Sequence, residues 1–264
     1  MYAFTYLRPG SVRGASKALA TKENAKLLAG GQTLLPTMKQ RLASPDHIVD
    51  LSQIDDLKNI EQKGRRIVIG AMATHASVAS SALVRDNIPA LAALAGGIGD
   101  PAVRHRGTIG GSVANNDPAA DYPAAVLALG ATIHTNKRKI AADEFFAGLF
   151  TTALEEDEVI TKITFPMPSR AAYQKFRNPA SRYALVGVFV AKRGRDIRVT
   201  VTGAGSNGVF RWSAAEAALS KRFSVKSLEG LSISASGLNG DIHASPEYRA
   251  HLIAVMTARA VAAA

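Results

Sequence analysis

Two glycine pairs, each beside small hydroxyl or amide residues, are the places in this chain where residue type and spacing point to chemistry. The first is Ala29-Gly30-Gly31-Gln32-Thr33, leading into Leu34-Leu35-Pro36, and the second is Gly107-Thr108-Ile109-Gly110-Gly111-Ser112. Two glycines ahead of a helix let the backbone approach a ligand closely and aim unpaired N–H groups at it. Phosphate suits such a place, because the helix dipole adds partial positive charge there. Thr33 reads as the N-cap of a helix over 34–42, with Pro36 in its first turn. Either pair alone also reads as a tight turn. Two donor-rich segments in one small chain point to a diphosphate gripped from both sides.

Asp121 precedes an apolar helical run over 122–130, so its carboxylate reads either as an acceptor for ribose hydroxyls or as a helix cap. Asp117, followed by Pro118, reads as a cap, and Asn115 and Asn116 as turn residues. A third glycine motif, Gly203-Ala204-Gly205-Ser206-Asn207-Gly208, has the G-x-G-x-x-G spacing, with Glu229 at a suitable distance beyond. A dinucleotide fold needs its helix to open within that motif, whereas the helix signal here begins only at Ser213. The preceding strand, 197–201, alternates as a half-exposed antiparallel strand does, and the motif therefore reads as a turn. There are no cysteines, and the six histidines (47, 75, 105, 134, 243 and 251) form no metal-ligand pair. Cysteine-ligated iron–sulfur clusters are thus excluded from this chain, and any redox metal must sit on a partner.

The elements that position these segments follow from periodicity and punctuation. The first block reads as a helix over 16–24, a strand over 26–29, the glycine segment with its helix, and a strand over 48–51. The second opens with a strand over 66–70. It continues through helices over 75–83 and 88–95, the second glycine loop, and strands over 131–135 and 159–165. Phe165-Pro166-Met167-Pro168-Ser169-Arg170 reads as a linker. In the third block, Ser213 and Glu216 have capping-box spacing before a helix to Lys221. Ser245-Pro246-Glu247 opens a terminal helix with Leu252, Val255, Met256 and Val261 apolar. The chain carries 32 Lys and Arg against 21 Asp and Glu, a net charge of +11. Its densest basic groups (63–66, 136–139, 192–195 and 221–222) sit beside turn residues between strands, which points to exposed turns and away from nucleic acid. No apolar run is long enough to span a bilayer, and residues 1–7 do not resemble a signal peptide, so a cytoplasmic location is expected.

With Asp117-Pro118 to Asp121, the two glycine segments resemble those of the FAD-binding (medium) subunits of molybdenum hydroxylases. The carbon monoxide dehydrogenase medium-subunit type is the nearest, related to the xanthine dehydrogenase flavin domain. The resemblance runs on through Asp143-Glu144-Phe145-Phe146, Lys175 to Ala184 and Asp241 to Arg249, and covers essentially the whole chain. It implies an α+β fold: a two-subdomain FAD-binding (PCMH-type) module over 1–57 and 58–170, then a C-terminal α+β domain of the CO dehydrogenase flavoprotein type over 171–264. It also implies FAD in the cleft between the first two blocks. Ala29, Gly30, Gly31, Gln32 and Thr33 would hold the pyrophosphate from one side, and Thr108, Ile109, Gly110, Gly111 and Ser112 from the other. Asp121 would lie near the adenosine part, with Ile160 as an aliphatic contact. Lys175 and Tyr183 would close over the flavin ring, although a solvated lysine and a packed tyrosine are the plain alternatives.

No catalytic or metal-ligating residue is expected here. The implied role is electron transfer: a small partner with [2Fe-2S] clusters delivers electrons, a large partner carries the molybdenum cofactor, and the flavin passes electrons to an external acceptor. The implied assembly is a dimer of heterotrimers. Two other functions stay open at this point, a self-sufficient FAD-dependent oxidoreductase and a basic non-enzymatic binding protein.

Overall fold

The computed structural model describes all 264 residues, and its three principal sheets follow one another along the chain. The first is parallel, in the order β1-β3-β2, from Thr5–Leu7 (β1), Ala25–Leu28 (β2) and His47–Asp50 (β3). A helix over Val12–Thr21 joins β1 to β2, starting earlier than periodicity suggests. Ser11 sets that start, since its hydroxyl accepts the Gly14 N–H, while Gly14 inside the first turn weakens the helical signal there.

The second sheet is antiparallel, in the order β4-β5-β10-β6-β7, with strands at Ile60–Gln62 (β4), Arg66–Gly70 (β5), Thr132–Thr135 (β6) and Lys139–Ala141 (β7). A small hairpin, Phe146–Gly148 (β8) with Thr151–Thr152 (β9), precedes the central strand Ile160–Pro166 (β10). Short helices between β5 and β6 cover this sheet, and Ile69, Leu91, Ile109, Tyr122 and Phe165 lie in its core.

The third sheet is an antiparallel meander of Arg170–Arg177 (β11), Ala184–Arg193 (β12), Asp196–Thr202 (β13) and Phe210–Arg211 (β14). Helices over Ser213–Lys221 and Pro246–Ala263 pack on it. On its other side Phe189 and Ala191 join the core of the second sheet. Met72 and Val159 likewise enter the core of the first, so the three units are welded by shared apolar contacts. Arg249, buried in the terminal helix, donates to the Leu185 carbonyl at 2.6 Å and pairs with Asp241 at 2.6 Å.

Three local expectations need correction. β13 is almost wholly buried. Thr200, which read as part of its polar face, and Thr202 just beyond donate their hydroxyls to the carbonyls of Ala124 (2.8 Å) and Ala120 (2.7 Å). A satisfied threonine buries like a valine, which is why alternation misled here. Ser213 is the first helical residue rather than a cap. Glu216 instead accepts from the Val199 N–H and from Arg211, tying the helix to the sheet. Asp117 caps no helix: it closes a short turn by accepting the Ala119 N–H at 2.8 Å.

Gly203–Gly208 is a turn between β13 and β14, as its sequence context suggested. The basic groups at 63–66, 136–139 and 192–195 lie on the β4–β5, β6–β7 and β12–β13 hairpins. No helix is long and apolar enough to cross a membrane.

Candidate cofactor cleft

A cleft of about 680 Å³ opens between the first and second sheets, with Tyr183 of the third at its edge. The first glycine segment leaves β2 and turns into a helix over Leu34–Lys39. Gly30 lies so close to the second unit that a Cβ there would stand 2.1 Å from the Arg106 carbonyl oxygen. Only glycine allows that approach. The N–H groups of Gly30, Gly31, Gln32, Thr33 and Leu34 make no hydrogen bond within the chain. Thr33 stands at the N-cap, but its own backbone is helical and its hydroxyl caps nothing. The reason is local. A capping hydroxyl bonds the second or third helical N–H. Here the third residue is Pro36, which has none, and the second, Leu35, is bonded to the Gly31 carbonyl. The Thr33 hydroxyl is left on the cleft wall beside the five free donors.

The second glycine segment is the first turn of a helix over Ile109–Asn115, where a loop was expected. Two glycines in a first turn erase the helical signal that its cap, Thr108, would otherwise announce. Thr108 accepts the Gly111 N–H at 3.1 Å. Most other donors are also engaged: Ile109 N–H with the Ala73 carbonyl (3.0 Å), Gly110 with Ala71 (2.8 Å) and Ser112 with Thr108 (3.0 Å), which leaves the Thr108 N–H as the one backbone donor of this segment without a partner in the chain. Ile109 is fully buried and turned into the core. Gly110 packs against the chain itself, since a Cβ there would meet both Cβ and O of Ala71 at 2.6 Å. Gly111 faces Ala29 across the gap. The two glycine segments are therefore unequal. The first presents five unpaired backbone donors, and the second presents a close wall with the Thr108 N–H and the Ser112 hydroxyl free on it.

Asp121 lines the inner end of the cleft but is almost fully buried, and its carboxylate is occupied. One oxygen accepts from Tyr173 and the other from Lys175 Nζ at 2.9 Å. Burial pushes the Asp121 carboxyl up from its ordinary value, against the pull of Lys175 and Tyr173. Lys175, expected over the flavin ring or in solvent, is not solvated: it is buried in this ion pair, bonded to the Gly97 carbonyl at 3.4 Å, and does not itself line the cleft. Tyr183 is half exposed and lines the cleft, with its hydroxyl pushed up by burial and by Asp117 and Asp121. Ile160 lines it too, as do Ala29 and Gln32.

Sequence reasoning missed His75 and Phe150, both on the cleft wall. His75 is buried, its Nδ1 has no partner, and burial together with Arg104 pushes its pKa down to about 4. Its ring lies 5.3 Å from that of Tyr122, whose buried hydroxyl is also unpartnered. No sequence signal separates this histidine from one packed in the core.

The family model for the FAD binding domain in molybdopterin dehydrogenase matches residues 2–168. The chain is 35% identical to the nicotine 6-hydroxylase medium subunit of Paenarthrobacter nicotinovorans, over 98% of this chain and 96% of that one. It is 34% identical to the carbon monoxide dehydrogenase medium chain of Hydrogenophaga pseudoflava, over 99% and 96%. A solved structure of carbon monoxide dehydrogenase from the latter organism superposes with a TM-score of 0.89, covering 100% of this chain and 97% of that one at 34% identity. A structure of quinoline 2-oxidoreductase from Pseudomonas putida 86 superposes with a TM-score of 0.88, over 99% and 96% at 28% identity. Fold, cleft and relatives agree, and the chain belongs to the FAD-binding medium subunits of the molybdenum hydroxylases, a family of oxidoreductases.

Proposed function

We propose that this chain is the flavin subunit through which a molybdenum hydroxylase complex passes electrons to an external acceptor. The observation that carries this is the row of five unpaired N–H groups from Gly30 to Leu34, beside the free Thr33 and Ser112 hydroxyls in one cleft. Donors of this kind fit a diphosphate, which accepts hydrogen bonds on every exposed oxygen. FAD, once bound, supplies both one- and two-electron chemistry, while the chain supplies placement and polarity. Gly30 to Leu34 would hold the diphosphate, and the missing Cβ of Gly111, which would stand 3.5 Å from the Ala29 Cβ, would help keep the gap open. Ile160 and Tyr183 would cover apolar ring surface. Asp121, Tyr173 and Lys175 would form a fixed polar floor, and Asp121 would meet the cofactor only through the edge that lines the cleft.

The partners in this proposal are a small subunit with [2Fe-2S] clusters and a large subunit with the molybdenum cofactor, arranged as a dimer of heterotrimers in the cytoplasm. The subdomain limits proposed are 1–57, 58–170 and 171–264.

FAD titration of the purified chain tests this, read by absorbance and thermal melting, with Gly111→Asp as control. Saturable binding that raises the melting temperature and is lost in the variant is the expected result. No binding by folded wild-type chain, even with the iron–sulfur and molybdenum subunits added, would refute it.

A further inference from the structure

Phe150 stands out from the rest of the chain in three ways at once. It is 56% exposed, it lines the cleft, and its backbone is left-handed at a φ of 51°. A phenylalanine gains nothing from water, and a non-glycine residue at positive φ persists only where its surroundings hold it there. What holds it is visible. It sits at the tip of the β8–β9 hairpin beside Leu149, itself half exposed. The Asn116 side-chain amide donates to the carbonyls of Gly148 (2.8 Å) and Thr151 (2.9 Å), straddling that tip. Asn116 is the left-handed C-cap of the helix Ile109–Asn115, whose first turn is the second glycine segment. A rigid helix of seven residues thus connects the wall of the cleft to the hairpin that overhangs it.

We infer that Phe150 is a ligand-contact residue, laid against a planar ring of the bound dinucleotide, and that Asn116 fixes it there. This rests on the flavin function proposed above. Phenylalanine faces stack in offset fashion on heteroaromatic rings, and such a contact would remove the exposed ring from water. The same recognition would serve the flavin or the adenine ring, so the ligand arms of the test separate the two. Asn116 holds the hairpin by two of its main-chain carbonyls, and Phe150 is the one residue of 146–152 that lines the cleft.

The test measures Kd for FAD, FMN and ADP with the full-length chain and its Phe150→Ala, Phe150→Trp and Asn116→Ala variants. Phe150→Ala is expected to weaken FAD by about tenfold or more, the usual consequence of exposing a large apolar side chain in a binding site. FMN falls with it if the ring is the flavin, ADP if it is adenine. Phe150→Trp is expected to retain FAD affinity and to show tryptophan fluorescence quenched on binding, above the constant background of buried Trp212. Unquenched fluorescence in a Phe150→Trp variant that still binds FAD would overturn the inference. So would wild-type FAD binding left unchanged by Phe150→Ala. If the wild-type chain binds no FAD, with partners present, the flavin function fails and this inference fails with it.

Discussion

Removing Lys175 should destabilise the protein more than any exposed charge substitution, and the reason is geometric. The Asp121 and Lys175 side chains are each only 4% exposed and sit 2.9 Å apart, across the junction of the second and third sheets. Taking one member from a buried pair leaves the other charged without compensation, which costs about 3–5 kcal/mol. Lys175→Met keeps the length and apolar stem while deleting the charge. For a chain of this size each kcal/mol shifts the melting temperature by about 2–4 °C, so the loss should be roughly 6–20 °C. The pH dependence carries a sign. Without Lys175, burial raises the Asp121 carboxyl still further above its unfolded value, so the unfolded state binds fewer protons over that window. Stability of the variant then falls as pH rises, and its deficit relative to wild type shrinks on acidification. Urea unfolding at about pH 5 and about pH 8 reads both effects. Adding Asp121→Asn to Lys175→Met should recover much of the loss, because two neutral groups of similar shape replace one orphaned charge. A single variant losing under about 1 kcal/mol, or a deficit that grows toward acid, would refute the buried-pair account.

His75 sits at about 4 in the folded protein against 6.5 unfolded, so stability is lost as pH falls through that interval. The full difference amounts to about 3 kcal/mol. His75→Gln should flatten this part of the acid unfolding curve, and an unchanged curve would exclude His75 as its source. Thr33→Val should leave stability within about 0.5 kcal/mol, since no cap bond is lost, yet weaken FAD in titration. Thr108→Val, by contrast, removes a made cap and should cost about 1 kcal/mol in chemical unfolding. Amide hydrogen exchange should show Ile109 and Gly110 protected in the free chain and Gly31 to Leu34 exchanging freely until FAD is added. Protection of Gly31 to Leu34 without FAD would mean that their donors are not free.

Much of the fold was legible because punctuation and periodicity agreed. Arg66–Gly70 follows the turn glycine Gly64 and ends on a glycine, and Ser245-Pro246 states the start of the last helix in two residues. Some failures were local, as at Asp117 and Thr33, and others came where a polar side chain had a partner far away in sequence. Thr200 and Thr202 find carbonyls near residue 120, and Glu216 finds the N–H of Val199. Such residues look solvated when read in a window, because the atom that satisfies them is not in the window.

The site shows the same limit in sharper form. Both glycine pairs say that something must come close to the backbone, and that much is readable from composition. Neither says what. At Gly110 the close neighbour is Ala71 of the same chain, and the N–H is consumed there; at Gly31 to Leu34 nothing in the chain takes the donors. A glycine that serves packing and a glycine that serves a ligand are the same letter. Only the hydrogen-bond inventory of the folded chain separates them, and it leaves five backbone donors free on the first segment against one, the Thr108 N–H, on the second. Lys175 repeats the lesson with charge: read as a ring contact or a solvated lysine, it is paired with Asp121, whose carboxylate would otherwise be free to reach a ribose.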